Sequence, residues 1–226
     1  MTEGKRLFVG IRVSVATANG LAQCADQLAR RARDANVDVK WVVPANYHLT
    51  LKFLGWTHPD LIEALCDRLA AAVAGTAAFK LKTSRLGAFP SLEKASVLWA
   101  GVEADGLAPL FTKIEAATTA LGFAAEIRPF HPHVTLGRTR ETRPLKEVVL
   151  PMSEQMFSDT RVESVSLFES ETKAASSVYK EISKIAFNQR EIVGETAVQR
   201  QTEPLDLGDE TDDGWPRDRA NQGSTH

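Results

Sequence analysis

Two of the five histidines in this 226-residue chain sit in matching settings, His48-Leu49-Thr50-Leu51 and His133-Val134-Thr135-Leu136. On a β-strand, residues i and i+2 point to the same face. Each tetrapeptide therefore presents an imidazole beside a hydroxyl, while Leu49 with Leu51, and Val134 with Leu136, turn toward a core. Two such strands side by side would gather two imidazoles and two hydroxyls in one pocket. That set suits phosphodiester cleavage by in-line displacement, which needs a base on the attacking oxygen and an acid on the leaving oxygen. Histidine can fill both roles near neutral pH, once neutral and once protonated. Threonine hydroxyls can donate to the non-bridging oxygens, where negative charge develops. One His-x-Thr alone is a weak signal, because a buried and hydrogen-bonded histidine or threonine is common. Two copies with the apolar alternation preserved carry the reading.

The remaining chemistry-bearing residues are read more blandly. His131 stands two before His133 and could suggest a metal site with His48, but Pro129 and Pro132 place it at the entry to the strand. Three histidines without a carboxylate are thin grounds for a metal, and no C-x-x-C or H-E-x-x-H spacing occurs. No metal and no other cofactor is expected. Trp41 and Trp99 lie in strand-like segments and read as core. Trp56, just past the first motif, is placed better to line a cleft and stack a base, with Phe53 and Phe130 as lesser candidates. The cluster Arg30, Arg31 and Arg33 reads as a solvated helix face. His58, before a proline, reads as exposed.

The elements that must position the paired motifs follow from hydrophobic periodicity. Strands are expected at Arg6–Val13, Val39–Val43, Tyr47–Leu54, Phe79–Leu86, Ala95–Val102, His133–Arg138, Arg161–Glu169 and Lys180–Phe187. Helices are expected at Ala16–Ala35, Pro59–Ala74 and Leu107–Leu121, with Gly122 as a cap and a weaker turn or helix near Leu145. Strands interleaved with helices give an α+β or α/β fold. The sequence twice runs helix, short link and His-x-Thr strand, so a two-lobed domain with pseudo-twofold symmetry is the economical arrangement.

The formal charge of −2 is uneven along the chain. Residues 190–226 hold four arginines against nine acids, leaving residues 1–189 at +3. The terminal stretch has no apolar periodicity and reads as an acidic, disordered tail on a globular domain of residues 1–189. A charge of +3 is too small to steer a long nucleic acid by itself. Nothing approaches the length of a membrane span, and no apolar stretch of signal-peptide type follows the first residues. Cys24 and Cys66 fall in helix-like segments and read as reduced packing residues. A cytoplasmic monomer without membrane contact is the expectation.

The segments RLFVGI, VKWVVPANYHLTLKFLG, LGAFPSLEKASVLWAGVEA, FHPHVTLGR and VESVSLFES resemble the RNA 2′,3′-cyclic phosphodiesterases, historically called 2′-5′ RNA ligases, of the 2H phosphoesterase superfamily. The resemblance spans roughly residues 5–187. It implies a bilobal fold with two antiparallel-type sheets lining a central cleft, helices outside, and no metal. It implies hydrolysis of a 2′,3′-cyclic phosphate at an RNA end, or of a nucleoside 2′,3′-cyclic phosphate, to a 2′-phosphomonoester. By the same resemblance His48 is the proton donor to the leaving oxygen, His133 activates water, and Thr50 and Thr135 bind phosphate. Arg138 matches a substrate-contacting arginine, although simple alternation turns it away from His133 unless the strand bends near Gly137. A glycine often precedes the tyrosine of the family's last hairpin, where this chain reads Ser176-Ser177-Val178-Tyr179. Two alternatives stay open: a 2H enzyme acting on 2′-5′ linked oligonucleotides or another cyclic nucleotide, and a module that binds RNA ends without cleaving them.

Overall fold

The computed structural model describes residues 4–172 and 177–187. The expected acidic tail and Ser176 lie outside those residues. Nine strands and four α-helices are present among the described residues. The strands are β1 Lys5–Arg12, β2 Lys40–Trp41, β3 His48–Thr57, β4 Phe79–Phe89, β5 Ala95–Glu103, β6 His133–Arg143, β7 Thr160–Val162, β8 Ser164–Thr172 and β9 Ser177–Ala186. The helices are α1 Val15–Asp34, α2 Leu61–Val73, α3 Leu107–Thr119 and the single turn α4 Lys146–Val149.

The sheet order β7-β4-β5-β6-β3-β1-β8-β9 is symmetric about its middle, with β2 added to β6. All strand pairings are antiparallel. The two expected sheets are thus the two halves of this order, each with its His-x-Thr strand innermost. They meet at one register pair, Leu49 opposite Val134, and both side chains are fully buried. The spatial halves are not the sequence halves. β1, α1, β3 and α2 lead to β4, which joins the far half. β5, α3, β6 and α4 lead through β7 to β8, which returns to the first. Each repeat therefore lends two strands to the other half, β2 and β4 from the first and β8 and β9 from the second.

Burial follows the expected periodicity. Leu21, Cys24, Ala25, Leu28 and Ala32 are the buried stripe of α1, whose first turn is capped by the Ser14 hydroxyl accepting from the Thr17 amide. Leu65, Leu69 and Val73 serve α2, and Leu107, Leu110 and Ile114 serve α3. α2 and α3 pack on each other, α3 against β3 and α2 against β9, whereas α1 packs toward β6 and α4. Both cysteines are free, Cys24 buried and Cys66 half-buried. No described helix is long and apolar enough to cross a membrane.

Several expected boundaries move for identifiable reasons. The strand expected to end at Leu54 continues to Thr57, because Gly55 adopts φ +70° and lets the ladder resume beyond it. The segment expected as one strand at Arg161–Glu169 is two, divided at Glu163, since β7 pairs with β4 and β8 with β1. The expected strand Val39–Val43 shrinks to Lys40–Trp41 before the 3-10 turn Pro44–Asn46. Trp41 and Trp99, both expected as core, are half-buried, and of the two Trp41 packs against the core. Trp99 stands opposite Thr135 on the motif face of the sheet, with its ring lying over Gly87.

The Leu49–Val134 contact joins the halves, so truncating it should be expensive. Leu49→Ala is expected to lower unfolding stability by about 2–5 kcal/mol, read from a denaturant titration. A loss below about 1 kcal/mol would show that the junction carries little of the fold.

Candidate active site

His48 and Thr50 begin β3, and His133 and Thr135 begin β6. Antiparallel pairing at Leu49–Val134 brings the two motifs together at the centre of the sheet, with all four side chains half-buried on the face opposite the core. The histidines are held in the same way. His48 Nδ1 lies 2.7 Å from the Asn46 carbonyl, and His133 Nδ1 lies 2.7 Å from the His131 carbonyl. A carbonyl only accepts, so each Nδ1 carries the proton and each neutral Nε2 presents its lone pair as an acceptor, that of His48 toward the Thr50 hydroxyl. The turn Pro44–Asn46 supplies the first carbonyl, and the stretch through Pro132 the second. Thr50 Oγ1 lies 3.1 Å from His48 Nε2. His131 contributes its backbone, and its residue is exposed. Among the described residues, no three His, Cys, Asp or Glu side chains gather as a metal site.

Both strands carry a bulge just after the motif. Opposite β1, the register steps from Thr50 to Lys52 while its partner moves one residue, from Gly10 to Val9. Opposite β5, it steps from Thr135 to Gly137 between Trp99 and Leu98. A one-residue bulge reverses the alternation beyond it. Arg138 therefore comes round to the face of His133 and Thr135, which is the bend that the sequence required near Gly137. By the same geometry Phe53 shares the face of His48 and Thr50.

Aromatic rings wall each imidazole. His48 sits 4.8 Å from the Phe8 ring and edge-on to Tyr179 at 5.0 Å, and Phe8 stacks on Phe168 at 5.0 Å. His133 meets Phe89 edge-on at 5.0 Å. Gly10 permits this closeness, because a Cβ there would stand 2.8 Å from the Leu49 carbonyl oxygen and 3.5 Å from the His48 ring. Arg12, directly opposite His48, lies over Phe168 with its Cζ 5.2 Å from the ring centre and donates to the Ala45 carbonyl. Burial depresses both imidazole pKa values. That of His48 falls to about 4, with Arg12, His133 and Arg138 adding to burial and outweighing the opposing carbonyl of Asn46. That of His133 is also lowered, by burial first and then by Arg138 and His131.

A cavity of about 440 Å³ opens beside Thr50 and His133, lined by Phe53, Phe89, Phe111 and Phe130 among others. Phe111 and Phe130 stack at 4.4 Å. Its wall depends on Lys52, which is 5% exposed. Lys52 Nζ donates to Glu115 Oε1 at 2.7 Å and to the Ala124 carbonyl at 2.6 Å, and the same carboxylate oxygen accepts from the Glu126 amide at 2.8 Å. On the other half β2 pairs along β6, but here this buried ion pair ties residues 124–126 to α3 instead.

The structure brings His48, Thr50, His133, Thr135 and Arg138 to one face. Phe53 and Phe130 line the cavity, whereas Trp56 lies farther along β3 and is 74% exposed. Sequence reasoning missed Arg12, although its alternation with Phe8 and Gly10 on β1 could have placed it. It noted Tyr179 only as part of a hairpin. Phe89 and the Lys52–Glu115 pair gave no signal, because their partners are distant in sequence.

This fold and this doubled motif place the chain in the LigT like Phosphoesterase family, whose model matches residues 15–99 and 101–179, one His-x-Thr strand in each. Similar sequences include an RNA 2′,3′-cyclic phosphodiesterase of Aeropyrum pernix, 33% identical over 147 residues (64% of this chain and 79% of that protein). One from Aquifex aeolicus is 28% identical over 180 residues, covering 77% and 93%. One from Geobacillus stearothermophilus is 37% identical over 99 residues, 43% of this chain, and the match spans 32% of that protein's length. In fold, a Thermus thermophilus protein superposes with TM-score 0.67 at 24% identity, covering 80% of this chain and 97% of that one. E. coli LigT in complex with 3′-AMP gives 0.60 at 24%, covering 81% and 98%.

The depressed His48 pKa links folding to pH. Between about pH 6.5 and about pH 4 the unfolded imidazole binds a proton that the folded one excludes. Stability is therefore complete above the unfolded pKa and declines as pH falls through that window. His48→Gln should remove about 2–3 kcal/mol of that decline, measured by urea titrations at several pH values. Parallel pH profiles for the two proteins would refute the assignment.

Proposed function

We propose that the chain hydrolyses 2′,3′-cyclic phosphates at RNA ends to 2′-phosphomonoesters by metal-independent acid–base catalysis with His48 and His133. The observation that carries this is the matched seating of the two imidazoles. Each is pinned through Nδ1–H to a backbone carbonyl two residues upstream, which turns Nε2 into the acceptor, that of His48 lying 3.1 Å from the Thr50 hydroxyl. The names of the relatives point to the same substrate class.

In this reading, Thr50 and Thr135 donate to the non-bridging oxygens, and Arg138 adds positive charge from beyond the bulge. Water attacks phosphorus while His133 Nε2 takes its proton. The bond from phosphorus to the 3′ oxygen breaks, and that oxygen receives the proton carried by His48. The 2′ ester survives as a phosphomonoester. The donor and acceptor labels follow the family resemblance; the pair itself is nearly symmetric. The cavity beside Thr50 and His133 takes the nucleoside, with its base among Phe53, Phe111 and Phe130. The enzyme works as a cytoplasmic monomer.

Electrostatics shape the pH dependence. Both free imidazoles lie below their ordinary pKa, so the bell for kcat/KM, which reports the free enzyme, should be centred below pH 6.5. The bound phosphate anion favours the imidazolium, so the kcat bell should sit at higher pH. His48→Ala and His133→Ala should each lower kcat by at least 10²-fold on a nucleoside 2′,3′-cyclic phosphate while circular dichroism stays native. Phosphorus NMR of the product identifies which ester remains. Undiminished turnover by both variants would sink the proposal.

A further inference from the structure

Beyond Thr50, β3 continues on the same face in a way that its register makes explicit. The cross-strand pairs are Arg12–His48, Gly10–Thr50, Phe8–Phe53 and Arg6–Trp56. β1 alternates regularly, so Arg6, Phe8, Gly10 and Arg12 share one face, and their partners share it with them. The β3 residues are spaced two, three and three apart because the strand carries two bulges, after Thr50 and at Leu54. The second bulge adjoins Gly55, whose φ of +70° suits it. Without it Trp56 would point the other way.

The result is a line of exposed aromatics running from the candidate active site to the end of the strand. Phe53 is 62% exposed and Trp56 is 74% exposed, and the Trp56 ring edge lies over Gly4, whose hypothetical Cβ would be 3.6 Å from Cε3. Arg6, opposite Trp56, is exposed as well. Each step between pairs is two β1 residues, about 6.8 Å. That spacing is of the order of one nucleotide of an extended strand. Large apolar rings left in water beside a cation match the base and phosphate of single-stranded RNA.

We infer that Phe53, Trp56 and Arg6 form a track for the RNA that precedes the reacting end. The terminal nucleoside lies against Phe53, the next base stacks on Trp56, and the phosphate between them meets Arg6. The inference rests on the proposed hydrolysis of cyclic phosphate ends, and it adds that the enzyme prefers an oligonucleotide end to a free cyclic nucleotide. Continuity with the histidine pair on the same strand face argues for RNA over a second protein.

The test compares kcat/KM on uridine 2′,3′-cyclic phosphate and on a uridine trinucleotide ending in the same group. In the wild-type protein the trinucleotide should be favoured roughly 5- to 100-fold. Trp56→Ala should bring that ratio close to one, and Trp56→Phe, which keeps a stacking face, should restore most of it. A wild-type ratio near one, or a ratio unchanged in Trp56→Ala, overturns the track while the cyclic phosphodiesterase reading stands. If the wild-type protein turns over neither substrate, that reading fails. Anisotropy of a labelled oligouridylate carrying a 3′-phosphate then judges the track alone, and weaker binding by Trp56→Ala supports it. A shift of Trp56→Ala from dimer to monomer on gel filtration, with RNA binding unchanged, would make this face a contact between copies and overturn the proposal.

Discussion

The site depends on one ladder contact. β3 and β6 share only the Leu49–Val134 pair before they part, yet that pair fixes where both His-x-Thr motifs stand. The alternation of a strand does the rest. With Leu49 and Val134 committed to the core, their neighbours His48, Thr50, His133 and Thr135 must face the other way. A register slip of one residue would bury the imidazoles and expose the leucines. The apolar requirement of the core and the placement of the chemistry are therefore one constraint.

The exchanged strands explain why such a narrow junction suffices. β4 leaves the first repeat to complete the second half, and β8 returns from the second repeat to complete the first. Neither half can close its ladder without a strand from the other repeat. Helices reinforce the same bond, since α1 follows β1 yet packs toward β6, and α3 follows β5 yet packs against β3. The two halves are held by chain connectivity and by helix packing, which leaves the central face with little to do but present its side chains.

Much of this was legible in the residues. The paired motifs, the three long helices and their buried stripes, and most strands follow from periodicity alone. The requirement for a bend near Gly137 followed from Arg138 sitting an odd number of residues after His133. What was not legible depends on pairing. Glu163 divides a continuous apolar segment because the strands on either side have different partners, and no local pattern shows that. The bulge in β3 was equally hidden, because Lys52 looks like an outward residue in an alternating strand. It is buried only because Glu115, far along the chain, meets it. Phe89 and Arg12 reach the histidines across strands whose order the sequence does not state.

Two copies of one scaffold have diverged where a substrate without twofold symmetry would require it. Four residues after each histidine, at the bulge, the first copy has Lys52 and the second has Gly137. Gly137 lets Trp41 and Val39 close in, since a Cβ there would stand 2.7 Å from the Val39 side chain, and β2 fills that flank. Lys52 needs a carboxylate to be buried at all, and meeting that need with Glu115 draws residues 124–126 toward α3 and leaves the aromatic cavity. One position further the copies differ again, an exposed phenylalanine against an arginine. The two similarly seated imidazoles thus lie between a flank where β2 pairs with β6 and a flank with the aromatic cavity, so the two sides of the motif face differ. The difference between the two sides comes from the neighbours of the histidines and not from their own seating, which is the same in both.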